Sequence, residues 1–167
     1  FKDKQPIIVL CGSGNNGGDG FIIAKCLINH GYETEVYALS NKKTYKGDAL
    51  KALNEYGEKI KKISLFRIKK NALIVDAIFG IGLGRSVKGI LKKIFNQINK
   101  SNNKVVSIDI PSGISSDTGK ILGCAIKADH TVTFHAKKLG HLFEPGKEFS
   151  GKLKVVDIGF VNKKMKT

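Results

Sequence analysis

Short apolar runs recur along this chain at intervals that leave room for a helix between most of them. These runs predict strands at residues 7–11, 34–39, 72–77, 104–110, 130–134 and 153–158, with a weaker strand or turn around 62–66. They are nearly continuous and rich in β-branched residues, which is typical of strands buried on both faces of a sheet. Helical periodicity predicts helices at 18–30, 44–56 and 87–99. The alternation predicts an α/β fold, with a doubly wound, mostly parallel sheet in a Rossmann-like three-layer sandwich, formed by residues 1–167 as a single domain.

Glycine-rich or charged segments follow four of the predicted strands. They are residues 12–20 (GSGNNGGDG), 76–85 (DAIFGIGLGR), 109–113 (DIPSG) and 135–140 (HAKKLG). In an open α/β sheet the carboxyl ends of parallel strands meet along one edge, where ligands bind. We therefore expect the four segments to converge on one cleft, and this cleft is the predicted functional site.

The segment 12–20 lies between a predicted strand and a predicted helix, which is the order found in phosphate-binding loops. Glycines let the backbone approach an anion, and a helix N-terminus offers unpaired N–H groups. Gly12, Gly14 and Gly17 also satisfy G-x-G-x-x-G, but no acid follows the second strand to hold a ribose. An ordinary NAD dehydrogenase is therefore disfavoured, although Ser40 and the lysines after it would tolerate a phosphate. A tight turn without a ligand is the alternative, and it would need fewer glycines than this segment carries.

The pattern places Asp19, Asp76 and Asp109 at the same edge of the sheet. Carboxylates brought together repel one another unless a cation or a hydroxyl-rich ligand lies between them. An ion bound only by oxygen atoms would be a hard cation rather than zinc. Capping of the following turn is the alternative role for Asp76 and Asp109.

The strand predicted at 130–134 is followed by Lys137 and Lys138, which either face the cleft or form one more solvated pair in a lysine-rich chain. His130, His135 and His141 lack the spacing of a helical metal site. We expect these histidines at the surface or in turns, with only His135 near the cleft.

The formal net charge is +15, yet only Arg67 and Arg85 among the 29 basic residues are arginine. A nucleic-acid-binding surface more often combines clustered arginine with aromatic residues. We therefore expect a solvated lysine surface, with no nucleic acid and no membrane as partner, and a field that favours anionic small molecules.

Neither a transmembrane stretch nor a signal-peptide pattern is present in the sequence, so we expect a cytoplasmic protein. Cys11, Cys26 and Cys124 show neither disulfide nor metal spacing. The expectation is that they are buried, reduced thiols.

Together these motifs resemble the NAD(P)H-hydrate epimerase family, whose domain is of the YjeF N-terminal type. The resemblance rests on the segments 12–20, 76–83 and 109–113, and also on 117–119 (DTG), 128–134 (ADHTVTF) and 156–159 (VDIG). They stand in family order over nearly the whole chain. The resemblance implies an isomerase of nicotinamide nucleotide repair that interconverts the R and S forms of hydrated NADH and NADPH. The hydrated nucleotide is then the substrate, and no redox cofactor is expected.

The resemblance also implies a site, residue by residue. Contacts to the nucleotide fall on Asn15, Asn16, Gly17, Gly18, Asp19, Gly80, Ile81, Gly82, Leu83, Gly84, Arg85, Ser86 and Asp109. One potassium ion per subunit would be held by Asn16, Asp76 and Ser112, in agreement with the hard cation inferred above. Asp109 and Lys138 are the expected catalytic residues: Asp109 exchanges a proton with the hydroxyl group of the hydrate, and Lys138 orients the carboxamide or steadies Asp109. Loss and return of water and a ring-opened aldehyde are both compatible routes.

The expected functional partner is an NAD(P)H-hydrate dehydratase that depends on ADP or ATP. In bacteria this dehydratase is often fused to the epimerase, but we do not expect it within residues 1–167. Family members usually carry a helical segment before the first strand, which contributes to the rim of the site and to dimer contacts. The printed sequence opens directly before the first strand, so we expect a domain without that segment. A homodimer is one expected assembly.

Two other functions stay open at this point. A non-catalytic nucleotide- or protein-binding module of the same fold need not keep Asn15, Asn16, Asp19, Asp76 and Asp109 together. An NAD(P)-dependent oxidoreductase needs a catalytic group that faces the nicotinamide, and the sequence offers no convincing Tyr-Lys or Cys-His pair.

Overall fold

The computed structural model describes residues 5–159 of the chain. The strands are β1 (Ile7–Cys11), β2 (Thr34–Ala38), β3 (Ile60–Lys62), β4 (Leu73–Ala77), β5 (Val105–Ile108), β6 (His130–Phe134) and β7 (Lys152–Val156). The helices of this part of the chain are α1 (Asn15–Asn29), α2 (Gly47–Tyr56), α3 (Gly89–Lys100) and α4 (Gly146–Ser150). The seven strands form one sheet in the order β3-β2-β1-β4-β5-β6-β7, with every neighbouring pair parallel.

Helices cover both faces of the sheet because its central strands are apolar on both sides. Ile7, Val9 and Cys11 of β1 pack with α1 and α2, whereas Ile8 and Leu10 pack with α3. All five residues of β1 are buried. The predicted doubly wound parallel α/β fold is confirmed, and burial on two faces explains why the run at β1 is continuous rather than alternating.

The order of the strands reverses between β1 and β4. The chain first moves outward from β1 through β2 to β3, and then returns to the other side of β1 to form β4. Cys11 pairs with Ala77 in this register, so β1 and β4 end side by side. Open α/β sheets bind ligands outside the carboxyl ends of the strands at such a switch point. The segments that follow β1 and β4 therefore meet there, as the sequence predicts.

Boundaries differ from the prediction mainly at helix starts. Helix α1 begins at Asn15, earlier than the predicted start at 18, because asparagine and glycine are weak helix formers and hide the first turn in the sequence. The region predicted as helix at 44–56 divides into a 3-10 turn at Lys42–Thr44 and helix α2. The weak signal at 62–66 corresponds to β3 followed by a 3-10 turn at Ile63–Leu65. Helix α4 was not predicted, since five residues are too short to show a helical period.

The three cysteines differ in burial. Cys11 is buried and Cys124 is partly buried, but Cys26 is exposed, so the expectation of three buried thiols is wrong for Cys26. Cys26 lies on the outer side of α1, where its Sγ is 3.7 Å from Nδ1 of His30. Within residues 5–159, no helix has both the length and the apolar character that a membrane crossing needs.

Candidate active site

Asp76 is completely buried at the carboxyl edge of the sheet, near the end of β4. Its Oδ2 accepts hydrogen bonds from Ser107 Oγ at 2.9 Å and from the Ser112 backbone N–H at 2.8 Å. Its Oδ1 accepts from Ser112 Oγ at 2.5 Å and from the Ile78 N–H at 3.3 Å. Burial raises the pKa of Asp76, and the hydrogen bonds from Ser112 and Ser107 oppose that shift. Asp76 thus joins β4, β5 and the segment 109–113. It also caps the turn after β4, which is the alternative role expected from the sequence.

Asn16 lies beside the segment that follows Asp76. Its Oδ1 and Nδ2 are both buried without a hydrogen-bond partner among the described residues. A Cβ built on Gly80 would lie 3.5 Å from Asn16 Oδ1, and the N–H of the preceding residue, Phe79, donates to Ser112 Oγ at 2.9 Å. Asn16 and Ser112 therefore flank the same short segment.

The unpaired Asn16 amide is the feature that fits a cation. Leaving a buried polar group unsatisfied costs about 1–3 kcal/mol. An amide oxygen can replace part of the hydration shell of a potassium ion, as carbonyl oxygens do in selective channels. Asp76 already accepts four hydrogen bonds, so in such a cation site it would hold Ser112 and contribute negative charge.

Glycines let the start of α1 pack tightly against the ends of the central strands. A Cβ on Gly12 would lie 1.8 Å from the carbonyl oxygen of Ile78, and a Cβ on Gly17 would lie 1.9 Å from the carbonyl oxygen of Gly12. These glycines are therefore required by contacts within the chain itself. The first hydrogen bond of α1 runs from Gly18 N–H to Gly14 O at 3.1 Å, so the amides before Gly18 have no partner within the helix. These amides are the feature suited to an anion.

Asp109 follows β5 with a φ of 68°, in a region that few residues other than glycine adopt. Its backbone N–H donates to Val132 O at 2.7 Å. Its Oδ1 accepts a hydrogen bond from Thr133 Oγ1 at 2.9 Å and another from the Lys138 ammonium. Backbone strain of this kind persists where the surroundings hold it, commonly at functional sites.

Lys138, rather than its neighbour Lys137, faces the cleft. The Lys138 ammonium also contacts Thr133 Oγ1 at 2.8 Å and Phe134 O at 3.1 Å, whereas Lys137 is exposed. The sequence left open whether these lysines face the site or are solvated. Lys138 lies at the site in contact with Asp109, whereas Lys137 is solvated. Thr133 was missed at the sequence level, because a threonine in a strand is ordinary and only its tertiary contacts mark it.

The three acids do not share one cluster. Burial raises the pKa of Asp19, and the negative charge of Asp109 raises it further, so these two carboxyl groups interact. Asp76 is instead enclosed by donors from Ser107 and Ser112. The positive charge next to Asp109 is the Lys138 ammonium. Asp109 Oδ2 receives no hydrogen bond from any residue in 5–159, which leaves this oxygen available to a ligand.

His141 corrects the expectation for the histidines. It is only 3% exposed and contacts Lys138, so the prediction that only His135 lies near the cleft is wrong, whereas the predicted place of His141 in a turn is confirmed. Its Nδ1 accepts a hydrogen bond from the Lys138 N–H at 3.0 Å, which assigns the proton of the neutral ring to Nε2. Burial lowers the pKa of His141, and the Asp109 backbone partly opposes this shift. No periodic signal marks a histidine in a short 3-10 turn, so the sequence could not indicate its burial.

The other predicted nucleotide contacts divide by exposure. Asn16, Gly17 and Gly18 are buried, Asp19 and Gly80 are partly buried, and Asn15 is exposed. In the segment after β4, Leu83 packs against the core, while the exposed residues are Ile81, Gly82, Gly84, Arg85 and Ser86. The segment after β4 is therefore mostly exposed, whereas the predicted contacts at the start of α1 are mostly buried.

Comparisons with known proteins are in accord with this geometry. Residues 1–140 match the family described as YjeF-related protein N-terminus. The NAD(P)H-hydrate epimerase of Levilactobacillus brevis is 40% identical over 160 residues, which cover 94% of this chain and 74% of that relative. The NAD(P)H-hydrate epimerase of Lentilactobacillus buchneri is 39% identical, with the same shares covered.

A longer relative and a solved structure extend the comparison. The bifunctional NAD(P)H-hydrate repair enzyme Nnr of Moorella thermoacetica is 38% identical over 98% of this chain, which spans only 33% of that relative's length. The crystal structure of yeast ynu0 superposes with a TM-score of 0.70 at 24% identity, covering 92% of this chain and 66% of the yeast chain. At that identity the likeness shows the fold alone, and it agrees with the three-layer α/β architecture.

Proposed function

The chain belongs to the family described as YjeF-related protein N-terminus, and from this membership we propose that it is an NAD(P)H-hydrate epimerase. The reaction interconverts the R and S forms of hydrated NADH and NADPH. The observation that carries the proposal is the Asp109–Lys138 pair at the carboxyl edge of the sheet, with Asp109 Oδ2 left open to the cleft. Two relatives named NAD(P)H-hydrate epimerase also support this proposal, and the chain covers about three quarters of each of them.

Asp109 is the proposed acid and base. The reacting carbon of the hydrate carries a hydroxyl group and is bonded to the ring nitrogen. Asp109 donates a proton to that hydroxyl, water leaves, and the nitrogen lone pair stabilises the resulting cation. Water then adds to either face and returns its proton to Asp109. A positioned acid–base group contributes about a hundred- to ten-thousand-fold in rate.

Lys138 and Thr133 are proposed to steady Asp109. Both donate to Oδ1, which directs the other carboxylate oxygen toward the substrate. The Lys138 ammonium also offsets the negative charge that Asp109 regains whenever it gives up its proton. The proposed nucleotide contacts are Asn15, Asn16, Gly17, Gly18, Asp19, the segment 80–86 and Asp109. The amides at the start of α1 support the phosphate part of that set.

We also propose a potassium ion beside Asn16, Asp76 and Ser112. When bound, the ion supplies positive charge near the Asp76 carboxylate and a partner for the Asn16 amide oxygen. The buried, unpaired amide of Asn16 supports this site. Asn16 and Ser112 would then hold the segment after β4 in place for the nucleotide.

The proposed functional partner is an NAD(P)H-hydrate dehydratase that restores the reduced nucleotide. The printed name of the bifunctional Moorella relative supports the pairing of two repair functions. The homodimer and the cytoplasmic location expected from the sequence stay predictions. Sedimentation of the purified protein would test the homodimer.

The proposed function is tested with one purified epimer of hydrated NADPH. The epimerase account predicts that the protein speeds appearance of the other epimer, followed by chromatography, until both reach equilibrium. A binding module would bind the nucleotide without changing the rate. An oxidoreductase would instead consume the absorbance of NADPH when carbonyl substrates are supplied. Interconversion no faster than in buffer rejects the epimerase.

A further inference from the structure

A cavity of about 550 Å³ opens at the carboxyl ends of β2 and β3. It lies on the far side of β1 from Asp109, because β1 and β4 stand between β2 and β5 in the sheet. The N–H of Leu39 in its wall donates to Cys11 O at 2.9 Å, which joins this wall to the end of β1. None of the contacts assigned above uses this cavity.

The lining of the cavity combines apolar, neutral polar and basic residues. Leu39, Leu53, Ile63 and Ile90 contribute to its lining, together with Lys42, Lys61 and Lys62. None of its lining residues carries a carboxylate. Such a lining suits a flat apolar ring with an attached anionic group.

Two of the three lysines are free to meet that anion. Lys61 is paired with Glu35 at 2.9 Å. Lys42 and Lys62 are exposed, and neither forms an ion pair with any residue that the structure describes. An unpaired ammonium group is a compact, mobile charge that binds phosphate well.

The lining also contains a buried tyrosine. Tyr45 lines the cavity, is 3% exposed, and its buried hydroxyl makes no hydrogen bond of normal geometry with residues 5–159. Burial raises the pKa of Tyr45 to about 12, although the Ser40 backbone lowers it in part. The hydroxyl therefore keeps its proton at neutral pH.

The distance from the catalytic pair suits the length of a dinucleotide. Three strand-to-strand steps separate β5 from β2, which is about 14 Å at the usual spacing. The first turn of α1, suited to a pyrophosphate, follows β1 and so lies between the two ends. Open α/β sheets bind dinucleotides across the switch point in this way.

We propose that this cavity binds the adenosine end of the substrate and that Lys42 and Lys62 contact its 2′-phosphate, so that the enzyme favours hydrated NADPH over hydrated NADH. This inference rests on the proposed function, since it takes a nicotinamide nucleotide as the substrate. An acid at the end of the second strand would instead hold the 2′-hydroxyl group of NADH, and the lining contains none.

Calorimetric titration with 2′,5′-ADP and 5′-ADP tests this subsite in three purified proteins. They are the wild type, the double variant Lys42→Gln/Lys62→Gln, and the control Lys70→Gln/Lys100→Gln. The control removes the same charge from exposed lysines at the opposite edge of the sheet. We expect wild type to prefer 2′,5′-ADP, and the first variant to lose at least about tenfold in affinity for it. Its affinity for 5′-ADP, and both affinities of the control, should stay within about twofold of wild type.

Equal affinity of the wild type for the two probes overturns the inference. So does an equal loss in both double variants, because that result would reflect the overall positive field of the protein. Epimerisation assays on the same proteins separate this inference from the proposed function. Turnover without any effect of Lys42 and Lys62 rejects only the subsite. Discrimination between the probes without turnover rejects the epimerase and leaves a nucleotide-binding site that recognises the 2′-phosphate.

Discussion

Lys138 and Asp109 form an ion pair whose side chains are only 19% and 13% exposed. The pair joins the end of β5 to the turn after β6, and Thr133 donates to the same carboxylate oxygen. Because both side chains are mostly buried, the ammonium group of Lys138 keeps the Asp109 carboxylate in one orientation. The contact is therefore the structural basis of the proposed acid–base role of Asp109.

Replacing Lys138 by methionine should both destabilise the protein and slow epimerisation. The change leaves a mostly buried carboxylate with Thr133 as its remaining side-chain donor, at a cost of about 2 kcal/mol in the free energy of unfolding. Lys137→Met removes the same charge from an exposed neighbour and should change stability by less than about 0.5 kcal/mol. Urea unfolding and epimer interconversion measure the two effects. Equal effects of the two variants would contradict a special role for Lys138.

Potassium should stabilise the folded protein through Asn16. A ligand present at a hundred times its dissociation constant adds about 2.7 kcal/mol to the free energy of unfolding. We expect thermal unfolding at a higher temperature in potassium chloride than in choline chloride of equal ionic strength, and we expect Asn16→Ala to abolish the difference. Asn15→Ala, at the exposed neighbouring amide, should keep it. A potassium effect that survives in Asn16→Ala would exclude this site.

Protonation of His141 should destabilise the fold in mild acid. Burial lowers the pKa of His141, the Asp109 backbone opposes that shift and the Lys138 charge adds to it. The unfolded chain therefore takes up this proton at a higher pH than the folded protein. The contribution of His141 to stability is complete above about pH 6.5 and is lost as the pH falls below that value.

Thermal unfolding between about pH 7.5 and 5.5 measures this effect. His141→Gln should show a smaller loss of stability over this range than the wild type. His30→Gln, which changes an exposed histidine, should follow the wild type. Identical pH profiles for wild type and His141→Gln would mean that His141 does not titrate differently in the two states.

Gly17 should be far less tolerant of alanine than Gly14. A Cβ at Gly17 would lie 1.9 Å from the carbonyl oxygen of Gly12, whereas nothing lies within 4 Å of a Cβ at Gly14. Gly17→Ala must therefore displace backbone and should cost at least about 3 kcal/mol or prevent folding. Gly14→Ala, at the N-cap of α1, should cost less than about 1 kcal/mol. Similar stabilities of the two variants would contradict the close packing of α1 on the strand ends.

The sequence predicts the fold and the position of the site because both depend on local pattern. Continuous apolar runs such as 7–11 mark strands buried on two faces, and parallel strands must bring their carboxyl ends to one edge. The family expected from the motifs is likewise confirmed.

What the sequence could not predict depends on tertiary contacts. Lys138, and not Lys137, reaches Asp109 from the turn after β6, in which His135 has a positive φ. The burial of His141 and the missing partners of Asn16 arise only when α1, the segment after β4 and the turn after β6 are packed together. The individual nucleotide and potassium contacts stay predictions.

The most direct measurement is the rate at which wild type and Asp109→Asn convert one purified epimer of hydrated NADPH into the other. Asparagine keeps the shape of the side chain and tolerates positive φ, so the variant should keep the same fold, although it should lose some stability because Lys138 loses its ion pair. Asp48→Asn, at an exposed acid of α2, is the control. We expect rapid interconversion by wild type and control, and a rate lower by about a hundred- to ten-thousand-fold in Asp109→Asn. A wild-type rate in Asp109→Asn would contradict the proposed mechanism.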